Sequence, residues 1–402
     1  MLKEPFIQAK NIFDTFHQSG FECYFVGGSV RDYLSGRSIG DIDIATNAKP
    51  EDMQRIFPKT VPVGIEHGTV LILDQGHAFE VTTYRTESDY QDYRHPSHVS
   101  FVDDISIDLS RRDFTMNAIA MNFDEQLIDP FNGREDLKKG IIRTVRSPFD
   151  RFNEDPLRML RGIRFVSQLN FNLDVDVKQA ISKHRHLLKN ISVERITDEM
   201  IKLLLNPFVN EALQLIQETE IHESLPIFED KESLFQSLKQ YRFTEQIDHP
   251  ATAFSLLHLI EPTISIDKWA KQYKLSNDIK KNAKHLASCY NLFKDKGLTN
   301  YVLYQTKHDW LTSLLQLIRL KDSGEVNIND LKTQYDTLAI QSRKDLAISG
   351  GDLMKWFSHK KRGKWIGDLL EQIEYLVVEN QLTNDEQAIE GWVREWEIRE
   401  KD

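Results

Sequence analysis

The chain has 402 residues, of which 28% are charged and 40% hydrophobic, and a formal net charge of −11. That length suggests about two to four domains, and the acidity argues against nucleic-acid affinity over the whole surface, so any RNA contact must come from local basic patches. The two cysteines, Cys23 and Cys289, are far apart and lack His or Cys neighbours at ligand spacing, which argues against a disulfide framework or a zinc site and fits a reducing compartment. Residues 1–10 carry no apolar core of signal-peptide length and no stretch reaches the length of a membrane span, so a cytoplasmic protein with no membrane partner is expected.

In chain order, residues 6–16 form an amphipathic helical pattern. The apolar run Cys23-Tyr24-Phe25-Val26 then stops at Gly27-Gly28, which reads as a buried strand entering a turn. Ser29 is the expected N-cap of a short helix over 30–35, closed by Gly36. A glycine turn feeding a helix points backbone N–H groups and the positive end of the helix dipole at one spot, which suits a triphosphate. Asp41 and Asp43 follow in Asp-Ile-Asp-Ile-Ala, a strand-like alternation that places both carboxylates on one face. A Gly-Gly-Ser after a strand is most often only a turn, and an Asp-x-Asp at a strand end is most often solvated. Together, in this order, they favour two-metal phosphoryl or nucleotidyl transfer.

Pro50 introduces a helix near 51–57, and strands are expected over 68–74 and 78–84, the second offering Glu80 as a candidate third metal-site carboxylate. A polar loop is expected over 86–98, with Arg94-His95-Pro96 at its centre. A helix should begin near Arg111. Within Arg111-Arg112-Asp113, Arg111 reads as surface charge, Arg112 as a contact to nucleotide sugar or phosphate through its planar fork, and Asp113 as the group orienting Arg112.

From about residue 147 strand patterns vanish and helical periodicity takes over. In Glu154-Asp155-Pro156-Leu157-Arg158-Met159-Leu160-Arg161-Gly162-Ile163-Arg164-Phe165, Pro156 fits a first helical position and Asp155 an N-cap. Arg158, Arg161 and Arg164 recur every three residues along one side. Such a stripe is usually a solvated face, but here a chemical alternative exists. Cytosine and adenine both present an exocyclic amine beside a ring-nitrogen acceptor, whereas uracil and guanine present a carbonyl beside an N–H. An Asp acceptor next to an Arg donor accepts the first pair and rejects the second. The remaining chain reads as helical hairpins with breaks near Pro226, Pro250, Pro262 and Gly350-Gly351. His308-Asp309 reads as part of a surface helix, and Ser358 to Lys364 as a basic turn flanked by Trp356 and Trp365.

The motifs at 27–46, 111–118, 129–137 and 154–165 resemble, in order and density, those of class II tRNA nucleotidyltransferases, the CCA-adding enzymes, in the short Gram-positive form. Bacterial poly(A) polymerases resemble this head too, but usually carry a basic Gly-Arg-Arg-Phe element where this chain has Val63-Gly64-Ile65-Glu66-His67-Gly68. The resemblance implies an α+β fold: a polymerase-beta-like nucleotidyltransferase head with a mixed sheet, followed by an all-α neck, body and tail. The expected bounds are 1–146 for the head, 147–206 for a base-recognising neck, 207–305 for a body holding the tRNA acceptor and 306–402 for a tail on the tRNA outer corner. It also implies Mg²⁺ on Asp41 and Asp43, and ATP or CTP contacts by Gly28, Arg31, Arg112, Asp155, Arg158, Arg161 and Arg164. Segment 129–137 resembles the family's hinge; its residues alone show only an Asn-Gly turn. The expected activity is addition of CCA to tRNA. The alternatives carried are a CC-only, A-only or poly(A) polymerase, and a non-catalytic tRNA-binding protein, against which the intact aspartate pair argues. A homodimer is left open.

Overall fold

A computed structural model of the protein describes residues 2–90, 96–230, 234–235, 237–238, 241–322 and 326–399. Arg94 and His95 of the expected central loop lie outside the described residues. The chain divides into two compact units, Met1–Lys239 and Gln240–Asp402.

The first unit begins with a 3₁₀ turn, Phe6–Ala9, and helix α1 (Lys10–Gln18). Strand β1 (Cys23–Val26), helix α2 (Gly28–Leu34), strand β2 (Asp43–Thr46) and helix α3 (Pro50–Ile56) follow. Next come β3 (Thr60–Gly64), β4 (Thr69–Asp74), β5 (His77–Thr83), β6 (Arg85–Tyr90) and β7 (Pro96–Phe101). Seven strands form one sheet in the order β3-β4-β5-β2-β1-β8-β9, where β8 is Ala120–Met121 and β9 is Leu127–Ile128. Its only parallel pair among the described residues is β2 with β5, which the α3–β3–β4 connection makes reachable. That register sets Asp43 beside Glu80 on one face. Ile42 and Ile44 point into a core with Phe6, Phe13, Phe16 and Phe25, the Phe6 and Phe25 rings meeting edge-on at 4.5 Å. The aspartates are thus held by the burial of the isoleucines that alternate with them.

Two expectations change here. The polar stretch 86–98 is not a plain loop: β6 and β7 pair as an antiparallel hairpin, with Arg85 opposite Phe101 and Glu87 opposite Val99. A two-stranded ribbon held by its backbone ladder needs no apolar alternation, so its sequence carried no strand signal. Helix α4 (Ile105–Ser110) ends where a helix was expected to begin, leaving Arg111 at its C-cap and Arg112-Asp113 in the turn that follows. Asp104 caps its start by accepting from the Ser106 N–H at 2.8 Å.

The hinge-like segment contains a helix, α5 (Gly133–Lys139), entered through left-handed Asn132 (φ 57°). A Cβ on Gly133 would lie 2.1 Å from the Thr115 carbonyl oxygen, so only glycine fits that contact. The Asp129 carboxylate accepts from the Gly133 and Arg134 N–H groups at 2.7 and 2.9 Å, which closes the turn. Strand β10 (Ile141–Ile142) pairs in parallel with β11 (Asn172–Leu173), so strand structure does not end at residue 147. Around it lie α6 (Pro148–Glu154), α7 (Leu157–Leu169), α8 (Val175–His184), α9 (Val193–Leu204) and α10 (Val209–Glu218).

The described part of the second unit is helical: α11 (Pro250–Ile260), α12 (Ile266–Gln272), α13 (Asn277–Lys296), α14 (Asn300–Thr306), α15 (Leu311–Asp322), α16 (Ile328–Asp336), α17 (Gly350–Trp356), α18 (Trp365–Val378) and α19 (Glu386–Arg399). The breaks expected near Pro250 and Gly350-Gly351 fall just before these residues, which start helices, the latter through a capping box between Ser349 and Asp352. His308-Asp309 lies in a 3₁₀ turn with Asp309 exposed, not in a surface α-helix. The basic run is the turn joining α17 to α18. Taken unit by unit, the fold is α+β in front and all-α behind, as expected.

Candidate active site

Gly27, not Ser29, caps α2: its φ of 73° turns the chain out of β1, and the helix starts at Gly28. Ser29 is buried and donates its hydroxyl back to the Val26 carbonyl at 3.1 Å. A Cβ on Gly27 would come within 3.2 Å of Arg112 Nη1 and 3.3 Å of Asp43 Oδ2. The glycine therefore keeps open the space between a cation and a carboxylate.

Asp43 opens β2, and Asp41 lies two residues earlier in an exposed bend outside the strand. Asp43 faces the open side of the cleft yet stands among its walls. That burial raises its pKa first, repulsion from Glu80 second, while Arg112 opposes and Asp41 adds to the rise. Among the described residues no three Asp, Glu, His or Cys side chains converge into a closed metal cage. Mg²⁺ seldom needs one: it takes one or two carboxylates, keeps waters and shares substrate phosphates. A carboxylate group whose members repel one another, beside space held open by a glycine, fits that ion.

All of the predicted site residues except Asp41 border one cavity of about 700 Å³. The arginine stripe of α7 is no solvated face: Arg158 is 8% exposed, and Arg161 and Arg164 are largely covered. Arg161 and Arg164 belong to a continuous network. Arg31 grips Asp32 at 2.9 and 2.8 Å and donates to Asn117 Oδ1 at 3.0 Å. Asn117 donates to Asp113 Oδ1 at 3.0 Å, and Asp113 Oδ2 accepts twice from Arg161 at 2.9 and 2.6 Å. Glu199 of α9 accepts from Arg161 at 3.4 Å and from Arg164 at 2.6 Å. Burial alone would raise Asp113, but the Arg161 guanidinium and the Asn117 hydrogen bond hold it well below the usual carboxylate range.

Asp113 therefore orients Arg161 rather than Arg112. Arg112 leans on buried Asp108 at 3.3 Å, and its Nε is buried without a partner among the described residues. Arg111 is also not plain surface: it pairs with Asp108 at 2.9 Å and with Glu87 of the hairpin at 3.1 Å, and borders the cavity. Asp155 uses both carboxylate oxygens, at the start of α7 and beside the cavity. Its Oδ1 accepts from the Leu157 N–H at 3.1 Å, capping α7, while Oδ2 accepts from Arg195 at 2.7 Å on the cavity side. Arg158 donates to the Arg151 carbonyl at 3.1 Å and to Glu154 at 2.6 Å.

Asn117, Phe165, Gln168, Arg195 and Glu199 were missed as site residues. Arg195 and Glu199 stand four apart on α9, and that spacing of opposite charges beside apolar Ile196 and Met200 was the available signal.

A head of this topology with a glycine turn, paired carboxylates and facing arginines defines a nucleotidyltransferase, and the family comparisons agree. The poly A polymerase head domain matches residues 23–143, the probable RNA and SrmB-binding site of polymerase A matches 170–231, and a putative tRNA nucleotidyltransferase domain 2 matches 245–393. The CCA-adding enzyme of Oceanobacillus iheyensis is 42% identical over 399 residues, covering 98% of both chains, and that of Bacillus cytotoxicus is 41% identical over 393 residues, 97% of this chain and 98% of the relative. The solved CCA-adding enzyme of Bacillus stearothermophilus in complex with CTP superposes with a TM-score of 0.89 at 38% identity over 100% of both chains. The chain belongs to the CCA-adding enzyme family, as its motifs led us to expect.

Proposed function

We propose that this protein builds and repairs the 3′-terminal CCA of tRNA from CTP and ATP without a nucleic-acid template, by nucleotidyl transfer to the tRNA 3′-hydroxyl with release of diphosphate. The observation that carries the reading is one cavity bordered by a carboxylate-bearing strand on one side and a pre-paired arginine network on the other. Full-length likeness to enzymes of that name supports it.

In this reading Asp41 and Asp43 hold Mg²⁺, which when bound would lower the pKa of the attacking 3′-hydroxyl and neutralise charge on the triphosphate. The start of α2 with Gly28, together with Arg31 and Arg112, receives triphosphate or sugar oxygens, the unpaired Arg112 Nε being a donor in waiting. Asp155 and Arg158 read the base edge. Each carboxylate oxygen offers two acceptor positions, so Asp155 can hold Arg195 and still accept the exocyclic amine of cytosine or adenine. Arg161 and Arg164 complete the cationic wall. The β6–β7 hairpin, whose Arg85 and Glu87 border the cavity, remodels the pocket between C and A addition.

We assign segment 1–146 to catalysis, 147–206 to base recognition, 207–305 to the acceptor end and 306–402 to the outer corner of tRNA. In the last, Lys361, Arg362 and Lys364 are exposed, whereas Lys360 lies over the Phe357, Trp365 and Trp396 rings at 5.0–5.5 Å and serves the fold. No described helix is long and apolar enough to cross a membrane, and we place the protein in the cytoplasm.

The test is incubation with tRNA lacking its 3′ end, Mg²⁺ and each NTP, followed by sequencing of product ends. Addition of C, C and A from CTP and ATP alone is expected. A homopolymer of A, a stop at CC, or no incorporation would each overturn the reading.

A further inference from the structure

Phe165 of α7 is 3% exposed, yet its ring borders the cavity. Three guanidinium groups converge on it. Arg164 stands 3.9 Å from the ring centroid, Arg31 5.2 Å and Arg161 5.8 Å. Arg31 comes from α2 and the other two from α7, so the ring is the point where cations from separate elements meet. The ring is itself fixed: Phe114 meets it edge-on, 5.6 Å between centroids at 85°. Phe114 in turn fits over Gly162, where an added Cβ would come within 3.2 Å of its ring.

The hydrogen bonds of these arginines run to Asp32, Asn117, Asp113, Glu199 and Gln168. Such bonds use the in-plane N–H groups and leave the guanidinium faces, which are weakly hydrated and suited to an aromatic surface. Three like charges in one cavity also repel: behind burial, Arg161 is among the groups pushing Arg164 down. An aromatic ring offsets that repulsion through its negative face, which an aliphatic side chain of similar size cannot do.

We propose that Phe165 is a positioning residue for the nucleotide triphosphate, its ring gathering Arg31, Arg161 and Arg164 into one preformed cationic wall. The inference rests on the nucleotide-binding reading of those arginines. It differs from plain core packing with Met116, Ile142 and Leu169, which asks only for apolar volume.

The test compares Phe165→Leu, Phe165→Met and Phe165→Tyr in the full chain, with thermal melting to match folded states. The aliphatic variants should raise KM for CTP and ATP alike by about tenfold, the equivalent of about 1.4 kcal/mol. Their kcat should stay within about threefold, selectivity against UTP and GTP should be unchanged, and Phe165→Tyr should restore KM. Equilibrium binding of inorganic tripolyphosphate to the same variants reads the arginine wall without turnover and should weaken in parallel. Wild-type KM and tripolyphosphate affinity in both aliphatic variants, or a loss in Phe165→Tyr as large as in Phe165→Leu, would overturn the proposal. A wild-type protein that binds tripolyphosphate but incorporates no CTP or ATP would sink the functional reading and leave this inference standing.

Discussion

Asp43 borders one wall of the cavity, and Glu80 stands beside it in register on β5, close enough to discourage the charge of Asp43. On the opposite wall Arg161 and Arg164 share Glu199, Arg161 also holds Asp113, and Arg158 holds Glu154. The difference teaches which half of the site exists before any ligand arrives. Paired charges at low exposure are rigid and self-consistent, so the arginine wall is built by folding. A cluster of like charges is held in place only by the strands that carry it, so in the proposed function the carboxylate wall is the half that a cation completes.

Neutralising the carboxylate wall should produce the largest effect. Asp43→Asn or Asp41→Asn should cut C and A addition alike by about a thousandfold, the rate equivalent of about 4 kcal/mol, while the fold and tRNA binding persist. Single-turnover kinetics beside a tRNA binding assay measure this, and normal turnover in either variant would remove these residues from the metal site.

The arginine wall should respond in stability as well as rate. Asp113→Asn leaves Arg161 with only Glu199 and should cost about 3 kcal/mol in urea unfolding at pH 7. Because the folded pKa of Asp113 is depressed, its contribution is present above the ordinary carboxylate value of about 4 and is lost as pH falls through the folded value. The acid limb of the wild-type stability curve should accordingly flatten in the variant. An unchanged acid limb would mean that the network does not stabilise this wall.

The smallest effect should be on selectivity. Asp155→Ala should relax discrimination against UTP and GTP by about 1–3 kcal/mol, the cost of one unmatched buried polar group, and Arg158→Ala should act in the same direction. Since Asp155 also caps α7, Asp155→Asn is the sharper probe: it retains a capping oxygen and adds a donor where an acceptor is wanted. Strict CTP and ATP selectivity in both Asp155 variants, measured by competing NTPs, would reduce Asp155 to a helix cap.

Much of this site was legible along the chain because its signals are local. The glycine turn, the Asp-Ile-Asp alternation and the arginines at three-residue spacing are short-range consequences of a turn, a strand and a helix, and the structure brings nearly all of them to one cavity. Other readings depended on register or distance and went astray. Ser29 looks like a cap because it precedes an apolar run, but Gly27, with its positive φ, takes the cap and Ser29 bonds backward. The stretch 85–101 is mostly polar and carries no sustained apolar alternation, so nothing in its composition announced the two strands that pair there.

By itself the sequence determined most of the element types, the α+β order, the family and the inventory of charged groups, since periodicity, turn chemistry and motif spacing are properties of neighbouring residues. Only the tertiary structure decided which charge meets which. Asp113 reaches Arg161 across 48 positions rather than its neighbour Arg112, and Arg195 reaches Asp155 across 40. Asp41 stays outside the cavity that Asp43 borders. Ion-pair partners are chosen by the packing of α7 against α9 and of both against the turn after α4, and that packing is set by buried area summed over the whole unit, which no local window contains.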